Sequence, residues 1–472
     1  MTEKKESKKT RLLKERLVRE QVRSWDRLSA KEKKEVSAYG SDYLKFLNYA
    51  RTERRAIRTF VEGAAKSGFQ DLDQEVKRVD RVFRASKGKV LVLAVIGRKP
   101  LTEGIRLVTS HVDCPRLDLK PNPLYEDTGL ALLKTHYYGG IKKYHWVARS
   151  LALCGTVIRA DGSTVEIDIG LDPEDPVLTI PDLLPHLARR QMEQKASEFV
   201  PAENLNVIVG CTPYEDEAAG ERVKLATLEW LHKKYGISEE DLMTAEIEVV
   251  PAEPAREAGL DRGMIAGYGQ DDRVCAFAAY NAVLDVKKPD HTAIAVFYDK
   301  EEVGSEGNTG AQSRLLENFL VDLMALTGIE PSPANLNKIL ANGKALSADV
   351  TSALDPTYAD VFEKRNAAKL GYGINITKYT GSGGKYAASE ANAEYAAWVR
   401  RLFNDNKVIW QVGDGGKVDE GGGGTVAKYL AKTGMDIVDC GPPILGMHSP
   451  MEVCAKEDAW MCRKAFGVFF VS

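Results

Sequence analysis

The sequence predicts an α/β fold in which a three-layer domain is interrupted by a β-rich unit. From Met264 onward, apolar runs of strand length alternate with segments of helical periodicity, the pattern of a sheet covered by helices on both faces. Short β-like runs, as at residues 164–169 and 206–209, precede this part. Polar motifs at positions 111 and 271 lie 160 residues apart, which is too far for a loop within one compact domain. A β-rich unit is therefore predicted between two parts of the α/β domain.

The composition indicates an ordinary soluble globular protein. Of the 472 residues, 44% are hydrophobic and 28% are charged, and the length suits two or three domains. The net charge of −3 provides no basic field that would favour a nucleic acid partner. No apolar run approaches the roughly 20 residues of a membrane span, and the N-terminus lacks an apolar signal core. The seven cysteines form no Cys-x-x-Cys motif, so we expect reduced thiols in a cytoplasmic protein without a membrane partner.

Residues 1–36 form a charged N-terminal arm, in which 13 lysines and arginines stand against 7 acidic residues. Leu13, Leu17, Val22 and Trp25 fall near one helical face. The basic excess is too small to favour nucleic acid or a membrane surface. We therefore expect an exposed, partly helical arm that packs on a neighbouring subunit.

The first part of the α/β domain follows the arm. Residues 43–65 predict a helix, and the almost wholly apolar residues 89–97 predict a buried strand. Residues 105–108 predict a second strand. This strand delivers the polar sequence Ser110-His111-Val112-Asp113 at its end.

The second part alternates helix and strand. Residues 273–286 predict a helix, residues 293–297 a buried strand, and residues 313–326 an amphipathic helix. Four glycines at 421–424 precede a predicted helix at 425–430. No Gly-Lys-Thr or Gly-Lys-Ser follows these glycines, so they do not match a P-loop. A close-packed turn near the functional site is expected instead.

Glu301 and Glu302, which come soon after the strand at 293–297, are the most informative residues of the chain. Adjacent side chains at a strand end point in different directions, so one carboxylate can hold a metal while the other faces a substrate water. A metal-assisted hydrolase needs this division of labour. On an exposed loop, the same pair would be only solvated charge.

Five short motifs offer metal ligands, and each ends or follows an apolar run or a turn. They are Ser110-His111-Val112-Asp113, Gly269-Gln270-Asp271-Asp272-Arg273, Lys300-Glu301-Glu302-Val303-Gly304, Ser347-Ala348-Asp349 and Gly446-Met447-His448-Ser449. Two histidines with three carboxylates suit zinc, cobalt or manganese, and not a structural zinc site built from thiolates. If two ions lie about 3.5–4 Å apart, one carboxylate is expected to bridge them.

Each motif taken alone also has a purely structural explanation. His111 suits a hydrogen-bonded core histidine, and His448 suits an ordinary loop position. Asp271 and Asp272 suit a helix cap with a first-turn acid, and Asp349 suits the cap of a turn. The combination of the five motifs in this order is what favours a metal site.

The ordered motifs resemble the dinuclear metalloaminopeptidases that include aspartyl aminopeptidase and vacuolar aminopeptidase I. The resemblance covers the chain from about Tyr39 to the C-terminus, and its last three segments are the most specific. The segments that carry it are His111-Val112-Asp113 with residues 115–121, Tyr138-Gly139-Gly140, Ile180-Pro181 with His186-Leu187, Asp271-Asp272-Arg273, Glu301-Glu302-Val303-Gly304-Ser305, Ser347-Ala348-Asp349 and Met447-His448-Ser449.

The resemblance implies two divalent metal ions per subunit, with zinc as the first choice and cobalt or manganese also suited. Asp271 matches the ligand that bridges both ions. The remaining ligands are His111 and Asp349 for one ion, and Glu302 and His448 for the other. Glu301 matches the general base, which takes a proton from water and passes it to the leaving amine. Asp113 matches the acid that orients His111.

The implied activity is the removal of N-terminal amino acids from peptides. His186 matches a residue that supports the substrate oxygen, within the chain or across a subunit boundary. Lys378, Lys385 and Tyr386 match residues of the substrate pocket. A lysine in the pocket would favour an acidic first residue, whereas a solvent-facing lysine would not, so acidic and neutral first residues both stay open.

The resemblance further implies the architecture. Residues 37–112 and 255–472 would form the catalytic domain around a central mixed sheet, and residues 113–254 an inserted β-rich oligomerisation domain. A homo-oligomer is implied, with a tetrahedral dodecamer as the family's assembly. Two other functions remain open: an N-acyl amino acid deacylase on the same scaffold, and a catalytically silent assembly protein. The presence of Glu301 argues against the silent protein, because pure structure needs no base.

Overall fold

The computed structural model describes residues 6–76 and 80–472, and its helices cluster in the N-terminal and C-terminal parts of the chain. The helices are α1 (Lys8–Leu17), α2 (Ser24–Arg27), α3 (Ala30–Tyr49), α4 (Glu53–Lys66), α5 (Arg189–Met192), α6 (Arg222–Tyr235), α7 (Glu239–Met243), α8 (Gln270–Asp285), α9 (Leu315–Leu326), α10 (Pro333–Ala341), α11 (Ala393–Asp405), α12 (Ala427–Leu430) and α13 (Lys456–Phe470).

The strands group into one large sheet, one sheet within the inserted unit and two small sheets. They are β1 (Gln70–Asp71), β2 (Arg81–Ser86), β3 (Val90–Val95), β4 (Arg106–His111), β5 (Arg116–Asp127), β6 (Leu130–Tyr138), β7 (Leu151–Ile158), β8 (Thr164–Ile169), β9 (Asn206–Gly210), β10 (Glu246–Pro251), β11 (Arg256–Ala258), β12 (Met264–Gly267), β13 (Ala293–Tyr298), β14 (Lys344–Ser347), β15 (Thr351–Ser352), β16 (Ile374–Thr377), β17 (Gly381–Ser382), β18 (Trp410–Val412), β19 (Gly422–Gly423), β20 (Asp436–Gly441), β21 (Pro443–Leu445) and β22 (Glu452–Ala455).

The large sheet is mixed, with the strand order β1-β2-β3-β13-β4-β14-β20-β16-β18. Its four central strands, β13, β4, β14 and β20, run parallel to one another. The flanking strands β3 and β16 are antiparallel to their central neighbours. Parallel strands that are buried on both faces have continuous apolar sequences, so these strands could be predicted from the sequence.

Both faces of the large sheet are covered, which gives the three layers. Along β13, Ala295 and Phe297 face one core while Ile294 and Val296 face the other, as the two-residue period of a strand requires. Helices α3, α4, α8, α11 and α13 share the first core, and α9, α10 and α12 share the second. The predicted α/β class, a three-layer domain around a mixed sheet with an added β-rich unit, is confirmed.

The β-rich unit contains an antiparallel sheet of strand order β8-β7-β10-β5-β6-β9 with its own apolar core. Helix α6 packs on β5, β6 and β9, and α7 packs on β5 and β7. Ion pairs join this sheet to helix α4, where Arg54 pairs with Glu246 and Arg55 pairs with Asp168. A further small sheet has the strand order β11-β12-β22-β21-β15, and its strands follow the β-rich unit in sequence.

The prediction of one helix over residues 43–65 is wrong, because α3 ends at Tyr49 and α4 begins at Glu53. Between them, the buried Arg51 donates a hydrogen bond to the backbone carbonyl of Glu253 at 3.0 Å. The Thr52 hydroxyl accepts the backbone N–H of Arg55 and caps α4. A tertiary contact and a local cap therefore interrupt an otherwise helical sequence.

The N-terminal arm is partly helical, as expected. Helix α1 buries none of its residues, whereas the segment after it packs on the rest of the chain. The guanidinium of Arg19 lies 3.6 Å from the centre of the Trp410 ring, and the backbone N–H of Ser24 donates to the Gly371 carbonyl. Among the described residues, no helix combines the length and apolar character needed to cross a membrane.

Candidate metal centre

The carboxyl ends of three neighbouring parallel strands bring most of the predicted site residues together. In the pairing register, Tyr298 of β13 lies opposite His111 of β4, and Thr109 of β4 lies opposite Ser347 of β14. The turns that follow these strands therefore open at one edge of the sheet, where α/β proteins place their ligands. The first turn carries Glu301 and Glu302, the second Asp113, and the third Asp349.

Asp271 and His448 reach the same edge from other elements. Asp271 lies in the first turn of α8 and has the non-helical angles φ −79° and ψ 111°, which turn its side chain away from the helix. His448 lies between β21 and β22 and has a φ of 63°. The buried carboxylate of Glu452 holds both segments, because it accepts the backbone N–H groups of Gln270, Asp271 and His448 at 2.6, 3.1 and 2.8 Å.

The Asp271 carboxylate faces one histidine with each of its oxygens. Its Oδ1 lies 3.2 Å from Nε2 of His111, and its Oδ2 lies 3.2 Å from Nε2 of His448. Nε2 of His448 is also 3.4 Å from Oε2 of Glu302. One shared carboxylate thus stands between two histidines on opposite sides.

Two overlapping groups of side chains bring ligand atoms within metal-binding range. His111, Asp271 and Glu302 form one group, and His111, Asp272 and Asp349 form the other, with atoms within 4.8 Å of one another in each. Asp272 belongs to one of the five predicted ligand motifs, but no ligand role of its own was predicted for it from the sequence. Its side chain is fully buried at this centre, a placement that its position next to Asp271 did not reveal.

The chemistry of these groups fits divalent cations. The side chain of Glu302 is only 4% exposed, and its Oε1 has no hydrogen-bond partner among the described residues. Leaving several carboxylates buried without compensating positive charge is expensive, and cations remove that cost. The donors are carboxylate oxygens and imidazole nitrogens, which suit zinc, cobalt or manganese. The residues present therefore fit a metal centre.

Both histidines are oriented with Nε2 toward the centre. Nδ1 of His111 lies 3.0 Å from the backbone carbonyl oxygen of Asp113, and Nδ1 of His448 lies 3.0 Å from that of Gly140. A carbonyl oxygen only accepts, so each Nδ1 is the donor and carries the proton. In the neutral imidazole, Nε2 then presents its lone pair to the centre, as a metal ligand must.

Glu301 differs from the ligand carboxylates in its position and electrostatics. Its Oε2 lies 4.0 Å from Nε2 of His111, and its side chain keeps 15% of its surface exposed. Burial raises the pKa of Glu301 to about 7, and the negative charges of Asp113 and Asp271 add to the effect. By contrast, burial acts to raise the pKa of Asp271, but hydrogen bonds from His111 and His448 hold it below its usual range.

Asp113 stands behind the centre and links several of its parts. Its carboxylate accepts the backbone N–H groups of Glu301 and Glu302, each at 3.2 Å, and lies 3.3 Å from Nδ1 of His111. The phenol of Tyr138 donates to the same carboxylate at 2.8 Å. Tyr138 and Glu452 are parts of the site that sequence reasoning missed as such. Tyr138 belonged to a recognised motif, but nothing in residue type or spacing pointed to its contact with Asp113.

A cleft of about 350 Å³ opens beside the centre. Its inner wall includes Asp271, Glu301 and His448, and its outer wall includes Lys385 and Lys417. The glycines of 415–416 and 421–424 also line it. The glycine run thus lies near the site, as expected. It is largely exposed, yet a Cβ added at Gly421 or Gly422 would come within 2.1 or 2.2 Å of the carbonyl oxygen of Gly415 or Gly381, so the backbone is closely packed there.

The four predicted substrate residues lie farther from the centre. Lys385 lines the cleft, and its Nζ pairs with Glu390 at 2.9 Å. Lys378 lies 4.0 Å from the same glutamate, and Tyr386 is 81% exposed. Among the described residues, neither of these two lines the cleft. His186 lies on an exposed loop between β8 and α5, in the β-rich unit, and does not line its own chain's cleft.

Comparison with known proteins places the chain in one family. The model of the family described as aminopeptidase I zinc metalloprotease (M18) matches residues 46–470. A relative from Clostridium acetobutylicum, named "Probable M18 family aminopeptidase 1", is 44% identical over 459 residues, which are 96% of this chain and 98% of the relative. The crystal structure of an M18 aminopeptidase of Thermotoga maritima is similar with a TM-score of 0.92, at 43% identity, over 96% of this chain and 99% of that one.

A more distant structure extends the likeness of the fold. The mApe1 dodecamer of Saccharomyces cerevisiae aligns with a TM-score of 0.74 at 22% identity, over 91% of this chain and 95% of that one. The full-length matches and the family model lead to one conclusion. The chain belongs to the M18 family of aminopeptidases, which are zinc metalloproteases.

Proposed function

We propose that this aminopeptidase works with two divalent ions that share Asp271, and that Glu301 is its general base. The observation that carries the proposal is the position of the Asp271 carboxylate, whose two oxygens lie 3.2 Å from Nε2 of His111 and from Nε2 of His448. A carboxylate that presents one oxygen to each side is the arrangement expected of a bridging ligand in a two-metal hydrolase.

The other ligands divide between the two sides of Asp271. On one side, Asp349 accompanies His111, and on the other, Glu302 accompanies His448. Zinc is the ion named for the family, and the donors also suit cobalt or manganese. When bound, two such ions supply Lewis acidity that polarises a peptide carbonyl and makes a water easier to deprotonate.

Glu301 is proposed as the base because its carboxylate borders the cleft and remains partly exposed. From this position, the Glu301 carboxylate can accept a proton from water and later donate it to the leaving amine. Asp113 is proposed to hold the site in shape, since it accepts the backbone N–H groups of both Glu301 and Glu302.

We propose peptides with a free N-terminal amine as the substrates, as for the named aminopeptidases of the family. Lys385 is already paired with Glu390 and lies 4.1 Å from the centre of the Tyr379 ring. A paired lysine offers less charge to an acidic substrate side chain, which argues against a strict requirement for an acidic first residue. The family's activity also favours peptides over the N-acyl amino acids of a deacylase.

We further propose that the chain forms a homo-oligomer through the inserted domain, at residues 113–254, and that the catalytic domain comprises residues 37–112 and 255–472. The yeast mApe1 structure is a dodecamer, which supports a dodecamer here, and we propose that it is tetrahedral. The loop that bears His186 exposes several large apolar side chains, which is typical of a contact surface. These are Leu183, Leu184, Leu187 and, just beyond, Met192.

Replacing the proposed base tests the mechanism. In Glu301→Gln, the side chain keeps its shape but cannot accept a proton, so kcat should fall by about 10²–10⁴-fold while two zinc ions remain bound. The measurements are kcat on aminoacyl p-nitroanilides and zinc content per subunit. Glu306→Gln is the matched control, because Glu306 is exposed and does not line the cleft. Near-normal turnover by folded, zinc-loaded Glu301→Gln would refute the assignment.

A further inference from the structure

A short segment of the inserted domain, residues Tyr138–Gly140, reaches the metal centre directly. Tyr138 ends strand β6 and is only 7% exposed. Its phenol donates a 2.8 Å hydrogen bond to Oδ2 of Asp113. Among the described residues, the other groups within hydrogen-bond reach of this carboxylate are the backbone N–H groups of Glu301 and Glu302 and the ring of His111, so Tyr138 ties Asp113 to strand β6.

The Tyr138 ring is itself fixed. The guanidinium of Arg116, its cross-strand partner on β5, lies 3.9 Å from the ring centre. The ammonium of Lys300, the residue before Glu301, lies 5.2 Å from the same centre. Arg116 is buried and forms ion pairs with Asp118 at 2.8 Å and Glu248 at 3.2 Å. A ring held between two cations, one of them anchored in the sheet, keeps its hydroxyl in one place.

The same segment also orients a predicted metal ligand. The carbonyl oxygen of Gly140 accepts from Nδ1 of His448 at 3.0 Å, which leaves Nε2 facing Asp271 and Glu302. Gly139 has a φ of +72°, and a Cβ at this position would come within 3.3 Å of Cβ of Glu302. The backbone therefore passes close to the centre, and a side chain at Gly139 would require Glu302 to shift.

We propose that Tyr138–Gly140, at the end of strand β6, is a positioning element that sets the orientation of Asp113 and His448, and that Tyr138 is its key positioning residue. This inference rests on the proposed two-metal function. Partners that orient metal ligands change metal affinity or activity by about 10–100-fold when they are removed. Because Tyr138 does not line the cleft, its loss should change the metal centre and turnover and leave substrate binding nearly unchanged.

Tyr138→Phe removes the hydroxyl and keeps the ring. We expect zinc affinity, measured by competition with a chromophoric chelator, to fall by about tenfold, and kcat to fall by about tenfold with KM within about twofold. The d–d absorption spectrum of the cobalt-loaded protein should also change. Tyr137→Phe is the matched control, because Tyr137 is the neighbouring residue on the same strand and is 43% exposed. We expect it to behave as the unmodified protein.

A second pair of variants tests the segment without removing the hydroxyl. Gly139→Ala should weaken zinc binding and lower kcat, because its methyl group would push against Glu302. Gly129→Ala carries the same kind of backbone strain, at φ +77°, but an added Cβ meets nothing within 4 Å. Gly129 lies in the turn between β5 and β6, so this control matches the strain within one hairpin and lacks the contact. If Tyr138→Phe does not fold, this pair decides the question.

The inference is overturned if Tyr138→Phe matches Tyr137→Phe in zinc affinity, cobalt spectrum and kcat, or if Gly139→Ala matches Gly129→Ala. It is also overturned if Tyr138→Phe changes KM alone. These outcomes are distinct from failure of the proposed function. That failure would appear as zinc binding at fewer than two sites in the unmodified protein, or as full activity of the Glu301→Gln variant.

Discussion

At the residue scale, Glu452 holds the backbone beside two of the proposed metal ligands in place. Its buried carboxylate accepts three backbone N–H groups, from Gln270, Asp271 and His448. Two segments that are far apart in sequence are thereby fixed to one side chain. The positions of Asp271 and His448, two of the proposed metal ligands, therefore depend on this contact with their backbone.

Glu452→Gln should therefore weaken both the fold and the metal site. An amide has one accepting oxygen, and its NH2 group would face an N–H donor, so we expect a loss of about 1–3 kcal/mol in the free energy of unfolding. Urea unfolding of the zinc-free protein measures this loss, and chelator competition measures the expected loss of zinc affinity. Glu330→Gln, at an exposed position, is the control. Equal stability and equal zinc affinity in the two variants would show that Glu452 does not hold the site.

At this scale, the sequence predicted the side chains that lie around the centre, because histidines and carboxylates after apolar strands are visible as residue types. The structure brings His111, Asp271, Glu302, Asp349 and His448 together at one sheet edge. The sequence did not predict the contacts of Tyr138 and Glu452. Tyr138 acts through its hydroxyl, and Glu452 acts by accepting backbone N–H groups from distant segments. Such contacts have no spacing that a sequence can display.

At the scale of elements, the parallel strands β13, β4 and β14 align the turns that build the site, and β20 lies beside β14. Asp439 of β20 lies opposite Ser347 of β14 and accepts the Thr425 hydroxyl at 2.6 Å. Burial raises the pKa of Asp439 to about 6, from an ordinary value of 3.8. This carboxyl group therefore keeps its proton to a higher pH in the folded protein than in the unfolded chain.

The pKa of Asp439 predicts a pH dependence of stability. Because the folded-state pKa is the higher one, the stabilising contribution is complete below pH 3.8 and is lost as the pH rises through about 6. The loss amounts to about 3 kcal/mol and should be absent in Asp439→Asn. Urea unfolding of the zinc-free proteins between pH 4 and 7 measures the difference in the free energy of unfolding between the unmodified protein and Asp439→Asn. A constant difference over this range would contradict the prediction, and Asp436→Asn on the same strand is the control.

The elements themselves were predictable where local signals dominate. β13 and α9 read directly from apolar runs and helical periodicity. The break between α3 and α4 was not predictable, since Arg51 forms its contact with a carbonyl that lies about 200 residues away in sequence. The order of strands in the sheet is likewise a property of long-range packing.

At the scale of the whole molecule, the proposed oligomer gives the exposed loop of the inserted domain a function. His186 lies on that loop and does not line the cleft of its own chain. In the proposed assembly, we expect the loop of one subunit to enter the cleft of the next. The sequence resemblance suggested this sharing, and composition alone gave no sign of it.

Complementation between two defective chains tests the sharing. His186→Ala and Glu301→Gln should each be nearly inactive alone, yet co-expressed chains should regain activity, because an intact Glu301 in one subunit meets an intact His186 from its neighbour. Light scattering coupled to gel filtration gives the assembly size, and kcat per subunit gives the recovery. Co-expression of His136→Ala with Glu301→Gln controls for loss of any exposed histidine in the domain. If the kcat per subunit of the mixed assemblies does not exceed that of the separate variants, His186 does not belong to a site shared between subunits.

Zinc-edge anomalous diffraction from crystals of the zinc-loaded enzyme tests the central claim most directly. We predict two anomalous peaks about 3.5–4 Å apart, with the Asp271 carboxylate between them and one histidine on each side. A single peak, or two peaks that Asp271 does not join, would contradict the two-metal account.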